Sequence, residues 1–310
     1  MQSLKNYIPA LRYGAKLPLD SLQGAGILTF GDTYYVNSVT GSDTANTGTT
    51  PGQPFATIDR AMTSVTANNG DVVFVMPKHA ETITGTAGSS ITLDVAGVRV
   101  IGLGTGNSRP TITLATPATT TITMSAANCS IENVILKGTV AELASMVTIS
   151  AAGCVLDGVD VQAGATSIIS FLTTTAAADQ LTVSNCQHMT TAAVTANAWW
   201  ITLTGADDCK IINNYFNIVT SNNAGSGVIG GATTASLRVV VKGNEIYNLG
   251  TACLPIAMFS GSTGIISYNN VGGSKTAAAG MVAPASCYAC QNFVTNVTST
   301  SGKLDPVATA

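Results

Sequence analysis

Charge is what this sequence has least of: only 9% of its 310 residues are Asp, Glu, Lys or Arg, 13 basic against 16 acidic, for a net charge of −3. Soluble domains average about 25% charged residues, so a helical bundle, a coiled coil and a charged disordered tail are all excluded. Basic residues are scattered, apart from Lys5, Arg12 and Lys16 near the N-terminus, and leave no cationic face for nucleic-acid phosphates. No stretch reaches the roughly 18 apolar residues of a membrane span, and Met1–Ala10 lacks the apolar run of a secretory signal. Synthesis in a cytoplasm, with neither nucleic acid nor membrane as partner, is therefore expected. Seven Cys, an odd number without zinc spacing, fit a reducing site of synthesis. Cys287 and Cys290 form a lone C-x-x-C pair, for which buried thiols rather than a metal are expected; no cofactor is implied.

In place of charge the chain carries Thr, Ser and Asn for polarity, with Val and Ile between them. β-Branched Thr, Val and Ile favour strands, so the fold class is expected to be all-β. A short phrase returns along the chain: an inward residue, a gap, an apolar residue, a gap, then Asn or Gly. Its copies are Val98–Gly102, Cys129–Asn133, Cys154–Gly158, Leu181–Asn185, Cys209–Asn213, Val239–Gly243, and the degraded Ile265–Asn269 and Tyr288–Asn292. Anchored on the last residue, these step by 31, 25, 27, 28, 30, 26 and 23. The spacing is too short for a propeller blade of about 40 residues, and period-two alternation excludes helical repeats. A stacked β-solenoid remains, in which one column recurs at every rung. Cys129, Cys154, Leu181 and Cys209 are expected to form an inward column. Asn133, Asn185 and Asn213, with Gly158 between, are expected to form a turn column, because Asn and Gly tolerate positive φ and amides hydrogen-bond along a stack.

From about Asp94 to Phe293 the rung phrase resembles the right-handed parallel β-helix family of the pectate-lyase-like superfamily. Tyr34–Asp43, Pro54–Ile58 and Gly70–Val75 look like the lead-in segment of many such proteins. Pro54 suits a helix start, Ile58, Ala61 and Met62 form an apolar stripe, and Asn68-Asn69-Gly70 ends it. That helix would cap the open end of the solenoid, whose strand edges otherwise template aggregation. The expected organisation is an N-terminal arm over 1–32, a lead-in module with capping helix over 33–93, a parallel β-helix over 94–293, and a tail or cap over 294–310.

Enzymes of this superfamily are recognised by acidic clusters on outward positions of neighbouring rungs. Gly205-Ala206-Asp207-Asp208-Cys209 resembles the paired-Asp motif of the polygalacturonase branch, where carboxylates act as general acid and base around a water. The remainder of that constellation is missing. The rung before offers Asp179 and His188, and the rung after offers Arg238 and Lys242. Asp207, Asp208 and Asp179 are thus weak catalytic candidates, against a solvated turn preceding a strand. A lyase needs hard oxygen ligands for calcium, and Asp157 with Asp160 supplies only two. His79 and His188 stand in different rungs and are expected to be packed or surface side chains. In Trp199-Trp200-Ile201-Thr202-Leu203, alternation with inward Ile201 and Leu203 puts Trp199 inside and Trp200 outside, as a subunit contact or a sugar-stacking platform. The Thr-x-Thr segments do not recur at one column, so an ice-binding array is not expected.

The whole resembles the β-helical virion proteins of tailed bacteriophages, in the segment Tyr34–Thr82 and the rung Val95–Gly104. The resemblance implies a non-enzymatic virion structural protein, most simply a capsid decoration or head-spike protein, made in the host cytoplasm and located in the virion. Its partners would be the major capsid protein or other virion proteins, a homotrimer of itself, and a host-surface glycan. The alternatives are a tailspike polysaccharide depolymerase and a glycan-binding adhesin. Residues 1–32 carry isolated apolar side chains without periodicity, so they are expected to order only against a partner. Leu4, Tyr7, Ile8, Leu11, Arg12, Tyr13, Lys16 and the outward Trp200 are the expected capsid or subunit contacts.

Overall fold

The computed structural model describes residues 31–86, 90–163, 168–193, 199–219, 227–231, 233–248, 254–273, 282–283, 285–296 and 299–305. The N-terminal arm contacts Leu4, Tyr7, Ile8, Leu11, Arg12, Tyr13 and Lys16 lie outside the described residues. Period-two segments that bury every second residue stack in parallel into three sheets, of ten, ten and eight strands. One rung shows the path of the chain. Val155–Asp157 belongs to sheet one, Asp160–Ala163 to sheet two and Leu172–Thr174 to sheet three, before Thr182–Ser184 returns to sheet one. Each strand pairs with its equivalent one rung away, as Leu156 does with Ile131 and Val183. A chain that winds parallel strands this way is a β-helix, right-handed by the chirality of such crossovers. The all-β solenoid expected from the sequence is the architecture observed.

The interior is a continuous apolar rod. Val98, Cys129, Cys154, Leu181, Cys209 and Val239 stack as one buried column, as expected for its four central members. Burial pushes the Cys154 thiol up to about 11 and those of Cys186 and Cys209 up to about 12, so these cysteines stay protonated and serve as small apolar side chains. Cys287 and Cys290 depart from the buried-thiol expectation, because Cys287 is only half-buried and Cys290 is exposed.

Between sheets one and two the chain turns on a single left-handed residue. Asn133, Gly158, Asn185, Asn213, Gly243, Tyr268 and Gln291 all have φ between 53° and 68°. Asn and Gly bear that conformation at least cost, which confirms the turn column at its first five positions. At the last two rungs the anchor chosen from sequence is one residue late: Tyr268 and Gln291 are the left-handed residues, and Asn269 and Asn292 follow them. The continuous amide stack is correspondingly displaced. Asn133 Nδ2 donates to the Gly102 and Gly104 carbonyls and Asn185 Nδ2 to Asp157, but neither forms a chain of amides. The chain of amides runs through the next position, at the buried residues Asn214, Asn244, Asn269 and Asn292.

In that ladder the Oδ1 of each Asn accepts from the backbone N–H and the Nδ2 of the Asn one rung earlier, at 2.9–3.1 Å. The second Nδ2 hydrogen of each goes to a backbone carbonyl, of Val183, Ile211, Val241 and Ile266 in turn. Asn214 also accepts from the Cys186 N–H, which joins the ladder to the apolar rungs before it. Buried amides are tolerated because their hydrogen-bonding groups are met.

The lead-in caps the rod. The helix Ile58–Met62 buries Ile58, Ala61 and Met62, the predicted stripe, and is capped by Thr57, whose hydroxyl accepts from the Arg60 N–H at 3.2 Å. It is shorter than the sequence suggested: it stops at Met62 rather than at Asn68-Asn69-Gly70, and its start is set by Thr57, not Pro54. At the other end, Ser299–Asp305 pairs antiparallel with Asn292–Asn296, the only antiparallel pairing among the described strands.

Candidate functional site

Asp207 and Asp208 occupy the turn that leads into sheet one, and that turn has its own left-handed column of Asn128, Gly153, Gln180, Asp208 and Arg238. The carboxylates of neighbouring rungs are built into it. Asp179 Oδ1 accepts the Asp207 N–H at 2.8 Å, and Asp207 Oδ1 accepts the Leu237 N–H at 2.8 Å. Asp208 meets Arg238 side on, Nε to Oδ1 at 2.6 Å and Nη2 to Oδ2 at 2.8 Å, while Asp207 Oδ2 stands 3.4 Å from the same Nη2. Asp179, Asp207 and Asp208 are therefore brought together, as the sequence proposed, with Arg238 as a fourth member. The hydrogen bond from Arg238 holds the Asp208 carboxyl below the usual carboxylate range. A depressed carboxyl suits an anion or an acceptor and opposes the role of general acid.

The sequence placed Arg238 on the rung after Asp207-Asp208 but did not pair it with Asp208. Asp208 and Arg238 are thirty residues apart, the length of that rung.

The other sequence candidates are separated by the fold. Asp157 Oδ1 accepts from Ser184 Oγ and Asn185 Nδ2, both at 2.6 Å, whereas Asp160 holds Arg109 at 2.7 Å. No group of three His, Cys, Asp or Glu side chains fit to hold a metal occurs among the described residues. His79 is buried, its Nδ1 accepting the Ser38 N–H at 3.0 Å and its Nε2 facing Glu81 at 3.0 Å. Because Nδ1 accepts, the ring proton sits on Nε2 and is donated to Glu81. His188 donates from Nδ1 to the Val161 carbonyl at 2.6 Å and stacks on Trp200 at 4.2 Å between ring centroids. Burial pulls its pKa down to about 4, so the ring is neutral at pH 7.

Both tryptophans are buried, Trp199 as the alternation predicts and Trp200 against it. Trp200 is 2% exposed and joins the core against His188 and Phe171, so it is not the outward contact residue expected. Trp199 is buried where the Cβ atoms of Gly227 and Gly230 would be, one rung on. The glycines of the next strand clear space for the Trp199 ring, while alternation resumes only at Ile201.

Large apolar side chains exposed among the described residues are Val39, Met189, Leu237, Tyr247, Ile265, Tyr268, Tyr288 and Phe293. Every aromatic member of that group lies from Tyr247 onward, on the last rungs. Tyr268 also receives Lys242 Nζ over its ring at 5.4 Å.

The sheets and turns define a parallel β-helix. No protein-family model and no curated protein matches the chain. Among solved structures it is similar to a rhamnogalacturonan lyase, at 14% identity over 78% of this chain and 74% of that one, with a TM-score of 0.48. It is also similar to a GH136 lacto-N-biosidase from Eubacterium ramulus, at 14% identity over 86% of this chain and 68% of that one, with a TM-score of 0.41. Likeness at this identity concerns the fold alone. The expectation of a protein that is not an enzyme is not carried forward, the solved chains of this fold being named as a lyase and a biosidase.

Proposed function

We propose that this chain is a polysaccharide-engaging β-helix protein carried on the virion of a tailed bacteriophage, with its last rungs facing the glycan. The observation that carries the reading is the gathering of exposed aromatics on those rungs, at Tyr247, Tyr268, Tyr288 and Phe293, on a chain with little charge. Aromatic rings present an apolar face to the C–H face of a sugar, and Tyr adds a hydroxyl for its polar edge. The virion setting rests on the resemblance of Tyr34–Thr82 and Val95–Gly104 to phage β-helix proteins. In that setting residues 1–32 contact the major capsid protein or another virion protein, and the β-helix associates as a homotrimer.

Full-length protein applied to an array of bacterial surface polysaccharides should be retained by a subset of them. Products of the retained glycans, read as new reducing ends and as unsaturated ends absorbing in the ultraviolet, would separate hydrolysis from elimination. Failure to bind any polysaccharide on the array would overturn the reading.

A further inference from the structure

On the outer face of sheet one a cleft of about 320 Å³ opens beside the Asp207–Asp208–Arg238 turn. It is lined by Val239, Val240, Gly264, Ile265 and Tyr288, together with Arg238 and Thr263. Ile265 is 47% exposed and Tyr288 82%, so both are open to solvent. They are neighbours by register, Val240 pairing with Ile265 and Ile265 with Tyr288. The same outward column runs through Val72, Arg99, Ser130, Val155, Thr182 and Lys210 on earlier rungs, and holds apolar side chains in succession only here, at Val240, Ile265 and Tyr288. Small-ligand clefts combine an apolar lining of this size with a few fixed polar groups.

Resting on the proposed function, we infer that this cleft is a subsite for a neutral pyranose unit of the polysaccharide. The apolar face of the sugar lies on Ile265 and Tyr288, and its hydroxyls meet the polar edge formed by Arg238 and Asp208. Charge selects the class of sugar. Arg238 is engaged side on by Asp208 and approached by Asp207, so its positive charge is already answered by two carboxylates. A uronate or a sulfated sugar would bring a further negative charge against Asp179, Asp207 and Asp208, three carboxylates that already outnumber Arg238 and the neighbouring Lys210. Sugar hydroxyls, which donate and accept, fit a preset ion pair without disturbing it. The ion pair holds its geometry because Arg238 and Asp208 are both fixed in left-handed backbone positions one rung apart.

The test is titration calorimetry of the full chain with neutral oligosaccharides of glucose, galactose and rhamnose and, in parallel, with oligogalacturonate. The wild-type chain should bind a neutral probe, and Tyr288→Ala should weaken that Kd by about tenfold or more, as loss of an aromatic anchor does. Tyr288→Phe should retain most of the affinity, and Val39→Ala, which trims another exposed apolar side chain outside the cleft, should retain all of it. Binding of a neutral probe with the same Kd in Tyr288→Ala would overturn the subsite and leave the proposed function standing. Binding of oligogalacturonate alone would overturn the neutral class. No binding of either probe, together with an empty polysaccharide array, would overturn the proposed function and this inference with it.

Discussion

From Val134 to Cys186 and from Asn214 to Asn292, one position of the rung is filled in two different ways. The backbone does not distinguish them. Asp160, Gln187, Tyr215, Glu245, Asn270 and Phe293 each donate their N–H to the carbonyl of this position one rung earlier, across both halves. Val134, Val159 and Cys186 meet the interior with apolar surface, and Asn214, Asn244, Asn269 and Asn292 meet it with amides. An apolar rung contributes by its own burial, so each is nearly independent of the next. An amide rung is stable only because its neighbours are amides too, since each Oδ1 needs the donors of the rung before and each Nδ2 needs the acceptor of the rung after. The two halves share a fold and differ in how strongly one rung depends on another.

The largest expected effect comes from breaking the ladder in its middle. Asn244→Leu leaves the N–H and Nδ2 of Asn214 without their acceptor and the Ile211 carbonyl without its side-chain donor. Buried unsatisfied groups cost about 1–3 kcal/mol each, so a loss of about 3 kcal/mol or more is expected in urea unfolding. Cys186→Asn sharpens the contrast, because the new amide would extend the ladder onto Asn214, and a change within about 1 kcal/mol is expected. If the two substitutions cost the same, the amides are not acting as a chain.

Acid should strike the apolar half first, because the ladder has no titrating group and His188 stands in the last apolar rung. Its folded pKa, about 4, lies below the ordinary 6.5, so between these values the unfolded chain binds a proton that the folded one refuses. The stability this contributes is fully present above pH 6.5 and is lost as pH falls towards 4, by about 3 kcal/mol in all. Unfolding midpoints measured across that range should slope less in His188→Phe than in the wild type. Parallel slopes would show that the histidine is not the source.

The smallest effect is expected at Arg99, whose pair with Glu132 is partly exposed on an early rung. Arg99→Ala should change the unfolding free energy by about 0.5 kcal/mol, and added salt should erase the difference.

Much of this solenoid was legible in the sequence because it repeats. Cys129, Cys154, Leu181 and Cys209 announced a column by recurring at one place in the phrase, and the column is there. The turn was legible for the same reason as far as Gly243. Beyond it Asn became ambiguous, since one residue type serves both the left-handed turn and the buried ladder, and Tyr268 and Gln291 hold a conformation that their identities do not advertise. Trp200 was misplaced because alternation is a rule for regular pairing, and what decided the matter was Gly227 and Gly230 one rung away, making room for Trp199. The Asp207–Asp208 turn was found and Arg238 placed one rung on, but the pair was not drawn, because a rung count does not say which outward side chains of neighbouring turns meet. The open cleft depends on Tyr288 in a degraded copy of the repeat, where the signal is weakest.

A stack in which every rung templates the next contains no internal measure of its own length. The reversed strand Ser299–Asp305 provides one for sheet two. An antiparallel ladder spaces its hydrogen bonds differently from a parallel one, so the register repeated from rung to rung in sheet two stops at this strand. The last described strand thus ends the parallel winding of sheet two with a change of direction.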